Sequence, residues 1–155
     1  MEHLPFTLEN KAPEDIRGFI EGLRKRNILS EREASLIDPE RVSAFFASEL
    51  GRRACASDEL RREAPFILRT ELDGRPIVVQ GVIDCCFREG DSYVLVDYKS
   101  SYVDGSDPEG SKEILLERYR EQLRLYKEAL ETIEGRKVSE SALYLFGLSD
   151  WISVR

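Results

Sequence analysis

The sequence is poor in the residues that most often build metal clusters and disulfide frameworks. It has one histidine, His3, and three cysteines, Cys55, Cys85 and Cys86. No C-x-x-C spacing is present, which excludes the usual zinc and iron–sulfur frameworks. Cys85 and Cys86 are neighbours, so a strand would send them to opposite faces and they make poor disulfide partners. The set fits a reducing, cytoplasmic compartment, with all three thiols in the core or at its boundary. No apolar run approaches the length of a membrane span, and no signal-peptide pattern is visible, so no membrane partner is expected. Positive charge is in deficit: 23 Lys and Arg stand against 30 Asp and Glu, a net charge of -7. That balance argues against an autonomous nucleic-acid binder, which is normally basic. No internal repeat or low-complexity tract appears. What remains is 155 residues with 41% hydrophobic and 34% charged content, enough for one domain with a sizeable core.

The first 60 residues read as helical. Ile16, Phe19, Ile20 and Leu23 recur at i, i+3, i+4 and i+7, one apolar stripe, and Asn27 ends that helix. Ser30-x-x-Glu33 is a capping box that opens a second helix. Asp38-Pro39 starts a third, which continues through Val42, Phe45, Phe46 and Leu50 and stops near Gly51. Strands are expected over 66–72, 76–87 (bent near Gly81) and 92–100, the last with a continuously apolar middle that suits a strand covered on both faces. The stretch 101–110 is acidic and glycine-rich and reads as a mobile loop, too poor in apolar anchors to offset its ordering entropy. A long helix follows over 111–133, with Leu115, Tyr119, Leu123, Tyr126 and Leu130 on or near one face and Gly135 as its cap. A last strand runs over 138–146, and Trp151 and Ile152 close the chain. This order implies one α/β or α+β domain: a helical segment over 1–60, then a core over 61–155.

The chemistry concentrates in Gly81-Val82-Ile83-Asp84 and Asp97-Tyr98-Lys99. Residues i and i+2 of a strand share a face, so Asp97 and Lys99 point the same way. Pairing of the two strands through the turn near Gly90 brings Asp84 to that face as well. Two carboxylates and an ammonium then converge at the end of an apolar sheet, where unpaired charge is costly and a cation or a function is called for. A hard divalent ion such as Mg²⁺ takes oxygen ligands of this kind. Lys99 could position or deprotonate a water, or stabilise charge on a phosphate. A lone D-x-K triplet is commonly a surface ion pair; the upstream G-x-x-D at a hairpin-sized distance shifts the reading to a site. Glu63 reads equally as a further acid or as a solvated residue after Arg61-Arg62. Gln122 and Tyr126, four apart on the long helix, taken alone read as a boundary glutamine and a core tyrosine.

Taken together, G-x-x-D at Gly81–Asp84, D-Y-K at 97–99 and Q-x-x-x-Y at Gln122–Tyr126 resemble, in this order, the RecB-family branch of the PD-(D/E)xK nucleases. The surroundings Glu63-Ala64-Pro65-Phe66, Val79-Gln80-Gly81 and Tyr119-Arg120-Glu121-Gln122 resemble most the nuclease domain at the C-terminus of AddA-type subunits of AddAB-type helicase–nucleases. The resemblance covers nearly the whole chain. It implies a restriction-endonuclease-like fold, a mixed sheet flanked by helices. It also implies metal-dependent exonuclease cleavage of DNA in double-strand-break repair and recombination. On this likeness Asp84, Asp97 and the Tyr98 backbone carbonyl bind Mg²⁺ (Mn²⁺ being an alternative) and Lys99 is catalytic. Glu63, Gln122 and Tyr126 support the site. The implied partners are DNA, the helicase part of a parent chain and a second subunit, which between them can supply the basic DNA path that this acidic chain lacks.

One departure stands out. The family carries a metal-binding histidine in a G-T-x-x-H setting on an N-terminal helix. Here no Gly-Thr precedes His3, and Glu2-His3-Leu4 looks like the downstream end of that helix. The expectation is a domain excised just after its first motif, with the ligand histidine missing and activity weak. The alternative is a catalytically crippled module that keeps the fold for partner or DNA contacts.

Overall fold

The computed structural model describes residues 3, 5–72 (the side chain of Leu72 excepted), 74–100 and 106–154. The chain divides into two compact units, His3–Ala56 and Ser57–Arg155.

The first unit holds the helices α1 (Pro13–Lys25), α2 (Glu31–Leu36), α3 (Pro39–Ala47) and α4 (Glu49–Ala56). Its core is the apolar stripe expected of α1, with Ile16 and Leu23 buried, together with Val42, Phe45, Phe46 and Leu50. Phe6 packs edge-on against both Phe45 and Phe46. The Ser30–Glu33 capping box forms with both reciprocal bonds. Asp38 caps α3 through Oδ1, which accepts from the amides of Glu40 and Arg41. The expected third helix does not run on to Gly51. It ends at Ser48, whose backbone is extended, and α4 begins at the next residue. Ser48 Oγ accepts from the amide of Gly51 at 3.0 Å. Gly51 is therefore no stop signal: it lies inside α4, where a Cβ would come within 2.0 Å of the Phe45 carbonyl oxygen. Cys55, expected at the core or its boundary, is exposed.

The second unit is a five-stranded sheet in the order β1-β2-β3-β4-β5, packed against one long helix. The strands are β1 (Leu60–Leu72), β2 (Arg75–Glu89), β3 (Ser92–Lys99), β4 (Val138–Leu145) and β5 (Asp150–Val154). β3 and β4 are parallel and the other neighbours antiparallel, a mixed sheet. The parallel pair requires a crossover, and the helix α5 (Pro108–Glu134) supplies it. β1 starts six residues earlier than the sequence pattern suggests, which places Glu63 inside the strand. β5, carrying Trp151 and Ile152, is a further strand that the sequence pattern does not reveal. The helix starts at Pro108 rather than 111, because Asp107 caps it by accepting from the Gly110 amide and Pro108 takes a first-turn position. Gly135 ends it in the left-handed conformation, φ 63°. Of the loop expected over 101–110, residues 101–105 lie outside the described residues. No described helix is long and apolar enough to cross a membrane.

α5 buries Leu115, Leu123, Ala129 and Leu130 against Phe66, Leu68, Ile83, Cys86, Tyr93, Leu95, Leu143 and Leu145. Burial of each large side chain in this layer contributes about 1.5–3 kcal/mol, which makes this face the main stabilising layer of the unit. Tyr93 and Leu95 belong to it, so alternation along β3 places Asp97 and Lys99 on the same, helix-facing side.

Candidate active site

The site grows out of an irregularity in β2. Its first half, up to Ile83, pairs only with β1, while Cys85–Glu89 pairs with β3 and, as far as Phe87, with β1 as well. Asp84 stands at the fork and belongs to neither ladder. Opposite it in the β1 register, between the pairs Arg62↔Cys85 and Ala64↔Ile83, stands Glu63, which also drops out of the ladder. Glu63 has φ 48°, a left-handed backbone that a non-glycine residue adopts only at a cost of about 1–3 kcal/mol. The two strands change face here together. Phe66, Leu68 and Ile83 meet α5 on one side of the fork, and Cys86, three residues beyond Ile83 rather than two or four, meets it on the other. Gly81 is thus not where β2 bends, since it pairs in register with Phe66; the break falls at Asp84.

Because β2 splays away, the last residues of β3 lose their strand partner on that side. Asp84 replaces it: Oδ2 accepts from the Tyr98 amide at 2.8 Å. The C=O of a strand residue lies on the same edge as its N–H, so the Tyr98 carbonyl faces the Asp84 side too. The next residue turns the other way, and the Lys99 carbonyl accepts from Phe146 N at 3.0 Å across the β4 edge.

Asp97 is only 1% exposed. Lys99 Nζ lies 2.7 Å from its Oδ2, as an ion pair. Oδ2 is met by the Lys99 ammonium alone, and Oδ1 has no hydrogen-bond partner among the described residues. Burial pushes the Asp97 carboxyl up to about 6; the adjacent Lys99 opposes the shift and the charge of Asp84 adds to it. One oxygen of this buried carboxylate is left without a donor, the condition in which a buried anion favours a further cation.

Lys99 is gripped from three sides. Besides Asp97, its ammonium donates to Gln122 Oε1 at 3.1 Å and lies 4.2 Å from the centre of the Tyr119 ring. Gln122 in turn donates through Nε2 to Tyr126 Oη at 2.9 Å; because the ammonium can only donate, Oε1 must face Lys99, which fixes which way round the amide stands. Tyr126 packs edge-on against Phe66, with ring centres 5.3 Å apart. Phe66 sits over Gly81, where a Cβ would come within 2.7 Å of its ring. The three sequence motifs are therefore one contact chain: Gly81, Phe66, Tyr126, Gln122, Lys99, Asp97. Sequence reasoning missed the parts played by Tyr119 and Phe66. The one available signal was spacing, since Tyr119 lies three residues before Gln122 and so shares its helix face.

His3 lies in the first unit, where it lines an apolar pocket with Pro5, Ile16 and Phe19. Among the described residues, no group of three or more His, Cys, Asp or Glu side chains is assembled for a metal ion. The donors that do fit a divalent cation are oxygen atoms: the unmet Asp97 carboxylate and the Asp84 carboxylate at the fork. Both are hard ligands suited to an ion that keeps several waters.

A mixed sheet whose central strand ends in D-Y-K beside the acid of G-x-x-D defines a class of protein, the PD-(D/E)XK nucleases. The chain belongs to that superfamily: the family model described as "PD-(D/E)XK nuclease superfamily" matches residues 7–151. Its relatives make the placement narrower. A protein of Pelotomaculum thermopropionicum, named as the A-subunit of an ATP-dependent helicase/nuclease, is 40% identical over 94% of this chain. Proteins of the same name from Geobacillus kaustophilus and Anoxybacillus flavithermus are 41% and 40% identical over 90% and 94% of it. The chain spans 12% of the length of each of these relatives, so what is similar is one part of a much larger protein.

Proposed function

We propose that this chain is the metal-dependent DNA nuclease domain of an ATP-dependent helicase–nuclease, hydrolysing phosphodiester bonds as an exonuclease during double-strand-break processing and recombinational repair. The observation that carries the reading is the Asp97 carboxylate, 1% exposed, with Oδ2 paired to Lys99 alone and Oδ1 without a hydrogen-bond partner among the described residues. A purely structural acid in that position would be expected to have found a donor for its second oxygen as well.

Asp84 and Asp97, with the Tyr98 carbonyl, are the proposed ligands of a divalent ion, Mg²⁺ by preference and Mn²⁺ as a substitute. When bound, such an ion polarises the scissile phosphate and lowers the pKa of a ligated water. The residues of the chain do the rest. Asp97 fixes Lys99 at the ion-pair distance. Lys99 keeps its ammonium at the end of the central strand, where it faces charge developing on a phosphate and can hold the attacking water by a hydrogen bond. Gln122 and Tyr126 keep that ammonium from swinging into solvent. Glu63, opposite Asp84, is a further acid at the fork, suited to a water-mediated role. The partners in this proposal are DNA, a second subunit and the remainder of the parent polypeptide, and they supply the basic path that a net charge of -7 does not.

A second reading is favoured by one observation, the absence of a third clustered ligand among the described residues. On this reading the fold is kept and the isolated chain cleaves weakly or not at all. Calorimetric titration with Mn²⁺ separates the roles of the acids. Affinity should fall at least tenfold in Asp97→Ala, and equal affinity in both proteins would reject Asp97 as a ligand. Cleavage of linear DNA in Mg²⁺ or Mn²⁺ should vanish in Lys99→Ala. A wild-type chain that binds Mn²⁺ but leaves DNA intact selects the second reading.

A further inference from the structure

We propose that Tyr119 is a positioning residue for Lys99, the ring face against which the ammonium is held during the reaction. The inference rests on the assignment of Lys99 as catalytic. Lys99 projects from the end of β3, where β2 no longer flanks the strand and where a flexible four-carbon stem would otherwise sample many rotamers. Two of its contacts are polar, Asp97 at 2.7 Å and Gln122 at 3.1 Å. The third, the Tyr119 ring centre at 4.2 Å, is well within the range over which a ring quadrupole attracts a cation.

Three features make this contact more than incidental. Tyr119 is half-buried and packed against the sheet-facing core, so its ring is not free to turn away. Lys99 is 15% exposed, so little water competes for the charge and the attraction is of the stronger, desolvated kind. Tyr119, Gln122 and Tyr126 lie at i, i+3 and i+7 of one uninterrupted helix, so ring, amide and hydroxyl move as a single rigid support. The arrangement also divides the labour. If Asp97 turns its carboxylate toward a bound cation, it loosens its hold on the ammonium. Gln122 and the Tyr119 ring keep Lys99 in place through that change, because neither is a proposed metal ligand. A tyrosine hydroxyl is not required for this, only an aromatic face.

The test compares Tyr119→Phe, which keeps the ring, with Tyr119→Leu, which keeps bulk and apolar character. The first readout is nuclear magnetic resonance of protein with labelled lysine. Ring current should move the Lys99 ε-methylene signal upfield in wild type and Tyr119→Phe and return it to the ordinary position in Tyr119→Leu. The second is Mn²⁺-supported cleavage of linear DNA. Tyr119→Phe should keep at least half of the wild-type kcat, and Tyr119→Leu should lose about tenfold in kcat with KM within twofold and unchanged Mn²⁺ affinity. An unshifted Lys99 signal in wild type overturns the proposal, as does a Tyr119→Leu variant that keeps the wild-type kcat. Lys99→Ala separates the two layers. If it cleaves as fast as wild type, the catalytic assignment of Lys99 is wrong, whereas the resonance still decides where its ammonium sits.

Discussion

Replacing Gly81 by alanine tests the contact chain at the end farthest from the charges. Gly81 does not have a left-handed backbone, so alanine meets no φ/ψ penalty there, and removal of glycine from a strand interior alone should stabilise by up to about 1 kcal/mol. The obstacle is space. The new Cβ would lie 2.7 and 2.8 Å from two ring carbons of Phe66 and 3.5 Å from Tyr126. Ordinary carbon contacts are about 3.5–4.0 Å, so the ring must retreat by roughly 0.7–1 Å. Phe66 is 5% exposed and is backed by Tyr126, so it has nowhere open to go. Overpacking of this kind costs about 1–3 kcal/mol, which outweighs the glycine gain. The expected net loss is about 1–2 kcal/mol, a five- to thirtyfold fall in the folding constant. Urea denaturation should show the midpoint falling by roughly 0.5–1 M at unchanged slope. The double variant Gly81→Ala/Phe66→Leu, which lacks the two obstructing ring carbons, should recover most of the loss. A Gly81→Ala protein as stable as wild type, or an equal loss in the Phe66→Leu background, would refute the reasoning.

Asp97 makes the metal-free protein pH-sensitive with a definite sign. Its folded pKa of about 6 lies above the ordinary 3.8, so the stabilisation it gives is fully present below 3.8 and is lost as pH rises through 6. In chelator, the contribution of this group should make the chain more stable at pH 5 than at pH 7.5, and saturating Mn²⁺ should reverse that difference. Asp97→Asn should stabilise the metal-free chain at pH 7.5 by about 1–2 kcal/mol, a gap of two pKa units being worth roughly 3 kcal/mol before the burial cost of the amide is deducted. The same variant should gain no stability from Mn²⁺, and a wild-type-like thermal shift with Mn²⁺ would exclude Asp97 as a ligand. In the helical unit, Asp38→Ala should cost about 1 kcal/mol by chemical denaturation while Asp38→Asn costs almost nothing, because both Asp and Asn cap helices well. Equal losses would show that charge, not the cap bond, is what matters there.

The sequence by itself determined what depends on near neighbours. The apolar stripe of α1, the Ser30–Glu33 box, the Asp38-Pro39 start and the Gly135 stop are local chemistry, and all four appear where the residues indicate. The alternation that puts Asp97 and Lys99 on one face is equally local. Asp107-Pro108 carries the same start signal as Asp38-Pro39, but the acidic, glycine-rich composition around it masks the signal, so the sequence pattern points to a start three residues too late. The break at Ser48 is hidden because Val42, Phe45, Phe46 and Leu50 keep a helical spacing across it. Only the tertiary structure decided what depends on partners distant in sequence. The fork at Asp84 exists because β2 follows β1 on one side and β3 for only part of its length on the other. The left-handed Glu63 and the Asp84 bond to Tyr98 follow from that fork, and the placement of Gly81 under Phe66 follows from the β1–β2 register. The grip of Tyr119 on Lys99 joins residues 20 apart through a parallel crossover, and no periodicity along the chain encodes where a crossover helix comes to rest.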